Sequence, residues 1–61
     1  MLDTLEKLAN VYGFQKNSTY NQTRYEDGHN FIIVDHQTKK ITFYGNYSRL
    51  IKKELIKTTN N

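Results

Sequence analysis

Apolar residues recur over the first dozen positions at the spacing of a helix. Leu2, Leu5, Leu8, Ala9 and Tyr12 fall within an arc of about 120°, with Asp3, Glu6, Lys7 and Asn10 opposite. The pattern predicts an amphipathic helix over residues 2–12. Asp3 sits at its positive end and is spaced for an i,i+4 pair with Lys7. Gly13 follows as the left-handed residue that closes the helix. Residues 18–26 alternate and are rich in Thr and Tyr, which predicts a first strand ending at a turn marked by Asp27 and Gly28. β-branched and aromatic residues then cluster at 31–35 and 40–44, on either side of a polar connection. Two such runs predict a hairpin.

The register of that hairpin depends on its loop. With a four-residue loop, 36–39, Asp35 faces Lys40, Val34 faces Ile41 and Ile32 faces Phe43, so four apolar side chains share one face. The other face then carries Phe31, Ile33, Thr42 and Tyr44, with a cross-strand Asp35–Lys40 ion pair. A three-residue loop buries Phe31 and Ile33 instead.

A second helix is predicted over 47–57, with Tyr47, Leu50, Ile51 and Leu55 on one arc and Asn46 or Ser48 as its cap. Glu54 falls inside that arc. The predicted fold class is α+β: helix, three-stranded antiparallel sheet, helix (αβββα), with both helices on one face. One domain spans residues 1–61, and residues 58–61 are expected to fray.

Composition narrows the function classes. A chain of 61 residues without cysteine has neither a disulfide framework nor thiolate chemistry, which fits a reducing, cytoplasmic setting. The longest apolar run, 31–34, is far short of a membrane span, and no signal-peptide pattern opens the chain. Catalysis has little to draw on. His29, His36 and six carboxylates show no recognisable spacing, and the three glycines are too far apart to cradle a phosphate. No enzyme, metal or cofactor is expected, and both histidines read as solvated loop residues.

Charge is more informative. Residues 1–30 carry three basic and four acidic side chains, residues 31–61 six and two. On the second helix Arg49, Lys52, Lys53 and Lys57 span an arc of about 140° beside the apolar stripe, Ile56 projects from its middle, and Lys39 and Lys40 lie on the hairpin. An apolar residue among cations is the composition of a docking surface for nucleic acid or protein. Tyr44 adds an aromatic face suited to base stacking or partner contact.

The order of elements resembles the double-stranded-RNA-binding domain. On that resemblance Gly28 and His29 match the loop between the first two strands, and Lys52 and Lys53 the basic last helix, all facing RNA by shape and phosphate contact. The chain departs from the family in lacking the loop proline, and its lysine pair comes later in the helix without the alanine-rich pattern that normally follows. In style, free of Cys and Pro and rich in Lys, Asn, Ile, Thr and Tyr, it also resembles the small accessory proteins of phages and mobile elements, many of which inhibit host proteins. The expected function is a non-enzymatic binding module that engages nucleic acid, or a nucleic-acid-handling protein, through the basic C-terminal helix and hairpin. The alternative is a phage-type inhibitor that blocks a host or defence protein.

Overall fold

The computed structural model describes residues 2–59. Its elements run α1 (Leu2–Val11), β1 (Gln15–Ser18), β2 (Gln22–Asp27), β3 (Asn30–Asp35), β4 (Ile41–Tyr44) and α2 (Asn46–Thr59). The four strands form an antiparallel sheet in the order β1-β2-β3-β4. The class is α+β as predicted, with four strands in place of three.

α1 ends as its sequence dictates. Gly13 takes φ +82°, its N–H donates to Asn10 O at 3.0 Å, and the Phe14 N–H donates to Ala9 O at 2.9 Å. This is the paired Schellman closure, which also turns Phe14 into the core. The strand expected at 18–26 narrows to β2, β1 precedes it over residues for which, Ser18 apart, no strand is expected, and residues 19–21 form a turn between the two. There the Thr19 N–H donates to Gln22 O at 2.8 Å, and Thr19 Oγ1 lies within hydrogen-bond reach of the same residue's N–H and C=O. β1 is exposed throughout and is tied to α1 by the Lys16–Glu6 ion pair. Glu6, rather than the expected Asp3–Lys7 pair, holds the helix's ionic contact.

Gly28 and His29 make the two-residue turn between β2 and β3, closed by the Asp27–Asn30 pair. Gly28 alone of the two has positive φ, +59°, the requirement of a type II′ hairpin turn. The β3–β4 hairpin takes the four-residue-loop register: Val34 pairs with Ile41 and Ile32 with Phe43. No Asp35–Lys40 ion pair forms. Asp35 Oδ1 instead accepts the N–H groups of Thr38 (3.1 Å) and Gln37 (2.9 Å), which hold the carboxyl below its ordinary pKa.

Leu5 and Ala9 of α1, Phe14, Tyr25 of β2, Ile32 and Val34 of β3, and Ile51 and Leu55 of α2 form the core. Tyr25, Ile32 and Val34 share one sheet face by strand alternation, so both helices pack there. Leu8, Tyr12, Ile41 and Phe43 flank this cluster and are only partly buried. Phe43, expected in the core, therefore lies at its margin.

α2 sits rotated from the expected arc. Tyr47 and Leu50 are half exposed, Glu54 is exposed, and Ser48 takes the buried position a turn before Ile51 and Leu55. The place of Glu54 within the apparent arc is the sign of this rotation. Neither Asn46 nor Ser48 caps the helix. The Tyr47 N–H donates to Asn30 Oδ1 on β3 at 3.0 Å, and the Arg49 N–H to Gly45 O at 3.1 Å. The helix continues through Thr58, whose hydroxyl donates to Glu54 O at 2.9 Å, to Thr59; residues 60–61 of the expected frayed tail lie outside the described residues.

Ser48 Oγ is fully buried with no hydrogen-bond partner. A buried, unpaired hydroxyl costs roughly 1–3 kcal/mol, so removing it offsets the small cavity that its loss leaves. Ser48→Ala is expected to leave the urea midpoint unchanged or to raise stability by up to about 1 kcal/mol, with the slope of unfolding unaltered. A clear loss of stability in that titration would show that the hydroxyl is bonded.

Candidate nucleic-acid interface

The candidate surface is built by β4, the loop before it and α2, which packs on β3 and β4. Lys39, at the end of the loop, holds a left-handed φ of +67°, and its N–H donates to Asp35 O at 2.8 Å. Lys40 follows, immediately before β4. Arg49, Lys52, Lys53 and Lys57 are all exposed on α2. Lys52 fixes the orientation of the helix: its Nζ lies 5.8 Å from the centroid of the Phe43 ring, so the α2 flank bearing Lys52 overlooks β4. Ile56 is one turn further along that flank and 47% exposed.

Residues 39–59 thus carry six basic side chains against one acidic, Glu54, whereas residues 2–38 carry three against five. The molecule is electrically polarised, with the positive side at β4 and α2.

The predicted site residues are not all gathered there. Gly28 and His29 lie in the β2–β3 turn, at the opposite end of β3 from Lys39 and Lys40, roughly 20 Å away along a six-residue strand. Because β1 precedes them, that turn joins the second and third strands rather than the first two. Tyr44 is 52% exposed on the sheet face away from the helices, opposite Phe31 in register. Phe31 is covered by Arg24, whose guanidinium carbon lies 4.6 Å above the ring while Nε approaches Glu26 Oε2 at 3.0 Å.

His36 differs from its expected role as a solvated loop residue. It is half buried, its Nε2 lies 2.8 Å from Thr23 Oγ1, and Thr23 Oγ1 lies 3.0 Å from Ser18 Oγ. Its N–H donates to Asn21 O at 2.9 Å, so this histidine ties the β3–β4 loop to the first hairpin. The central hydroxyl of the chain, Thr23, is buried. No group of three or more His, Cys, Asp or Glu side chains able to hold a metal ion occurs among the described residues, and no helix is long and apolar enough to cross a membrane.

Sequence reasoning misses two features of this surface. Phe43, expected in the core, is instead the apolar floor beneath Lys52. β4 is also an edge strand, because the fourth strand is added at β1 and not beyond β4. Strand order is a tertiary property with no local signature. Comparison of the chain with protein-family models, with curated proteins and with solved structures gives no match.

Proposed function

We propose that the chain is a non-enzymatic binding module that engages nucleic acid through the basic face of β4, the preceding loop and α2. The observation that carries this reading is the segregation of charge: six of nine cations lie on that loop and helix, with two carboxylates among them, Asp35 at the base of the loop and Glu54 on α2. Surface ion pairs add little to stability, and these side chains have no role in the core, so their grouping serves a partner. A second reading is favoured by a specific observation, the outer edge of β4, which no strand among the described residues covers. On that reading the partner is a protein, one that handles nucleic acid or one that the chain blocks.

Salt dependence separates the two. Binding of a labelled duplex of about 20 base pairs should weaken with a log-log slope near −0.9 for each phosphate neutralised, or about −3 to −5 if most of the six cations engage. Fluorescence anisotropy between about 50 and 300 mM KCl measures it. A slope near zero, or no binding at low salt, removes nucleic acid as the partner.

A further inference from the structure

The edge of β4 has a defined hydrogen-bonding phase. The Asp35 N–H donates to Lys40 O at 2.9 Å, so the 35–40 pair is hydrogen-bonded, and antiparallel alternation makes 33–42 and 31–44 the next bonded pairs. The N–H and C=O groups of Ile41 and Phe43 therefore point outward, to the side where no strand lies among the described residues. The strand itself, Ile-Thr-Phe-Tyr, has high β propensity and carries no charge.

An open edge of this composition is a template for another strand, and proteins commonly guard such edges with lysine. The guards are present: Lys39 and Lys40 lead into β4, while Lys52 overlooks it from α2. Their common sign decides which strand is admitted. A second copy would bring the same cations against themselves, whereas an acidic chain would be drawn in. An added strand would send every second side chain between Phe43 and the α2 flank of Lys52 and Ile56, and the others beside Thr42 and Tyr44.

We infer that the free edge of β4 receives an extended, acidic polypeptide segment of a partner protein as a fifth strand, the lysines pairing with its carboxylates and Ile41 and Phe43 with its backbone. This rests on the second reading above and gives it a chemistry: β-augmentation with affinity from main-chain bonds and selectivity from charge.

The test uses the full chain, isotopically labelled, with a capped peptide of alternating Glu and Val residues as the probe. Saturating peptide should slow hydrogen exchange at the Ile41 and Phe43 amides by about tenfold or more, and leave Thr42 and Tyr44, already bonded to β3, nearly unchanged. Lys40→Glu with Lys52→Glu should weaken the peptide by about tenfold or more, and a Lys-Val peptide should not bind. Peptide binding without protection of Ile41 and Phe43 overturns the inference and leaves the protein reading standing. A duplex or single strand that binds where the peptide does not overturns the inference and leaves the nucleic-acid reading standing. Self-association that protects the same two amides without any peptide overturns it in favour of a second copy. Failure of all probes defeats the inference and the basic-face reading together.

Discussion

Gly45→Ala is expected to cost roughly 2–5 kcal/mol, through backbone strain of about 1–3 and loss of a helix cap worth about 0.5–2. Gly45 has φ +98°, and a Cβ there would stand 2.3 Å from Asn30 Oδ1, 2.9 Å from Asn30 Cγ and 3.0 Å from Asn30 Cα. The same Oδ1 accepts the Tyr47 N–H at the start of α2, while Asn30 Nδ2 donates to Asp27 O at 3.2 Å. One side chain on β3 therefore does what the N-cap residue of a helix usually does for itself, and it can reach that place only because position 45 has no side chain. Asn30→Ala should cost about 0.5–2 kcal/mol alone, as the loss of a cap. In a double-mutant cycle Gly45→Ala should cost less in the Asn30→Ala background, because the clashing Oδ1 and Cγ atoms are gone while the φ strain and the close approach to the β3 backbone remain. Urea titrations followed by circular dichroism give the three differences. Strict additivity would mean that the two residues do not act on each other.

The second large effect is a contrast between neighbours. Ile32→Ala should cost about 2–5 kcal/mol, and Ile33→Ala about 1 kcal/mol or less. Ile32 is fully buried under both helices, opposite Tyr25 and Phe43, whereas Ile33 is half buried on the far face. For a chain of 61 residues, the larger loss approaches the whole stability of a small domain. The pair also checks register, since a hairpin slipped by one residue would reverse the order of the two losses. Leu5→Ala belongs with Ile32, being fully buried, while Phe43→Ala should fall below both because the ring is only partly covered.

Much of this fold is legible residue by residue. Leu5 and Ala9 set the face of α1, Gly13 sets its end, and the alternation through 31–35 and 40–44 sets the hairpin once a four-residue loop is assumed. β1 is not legible, for a physical reason. Gln-Lys-Asn-Ser contains no apolar residue, is exposed throughout, and is held by backbone pairing, the Ser18–Thr23 hydroxyl contact and one ion pair to α1, while its turn uses Thr19 in place of glycine or proline. The phase of α2 escapes a reading by hydrophobic arc because a serine holds a core position and two large apolar residues do not. The cations of the candidate surface can be found from sequence, since charge and helical spacing are local properties. Their meeting with Phe43 and the open edge of β4 cannot, because it depends on which strand ends the sheet.

On the proposed function, the position of these cations, and not the net charge of +3, governs binding. Two variants with equal charge loss test it: Lys52→Gln with Lys53→Gln on the β4–α2 side, and Lys7→Gln with Lys16→Gln on the α1–β1 side. Exposed lysines contribute about 0–1 kcal/mol to stability, so both should melt close to the parent chain. Salt titration of the duplex and of the acidic peptide is the measurement. The first variant should lose affinity for whichever probe binds, with the duplex slope shallower by about two, and the second should match the parent. Equal losses in both variants, or none in either, would contradict a β4–α2 binding face.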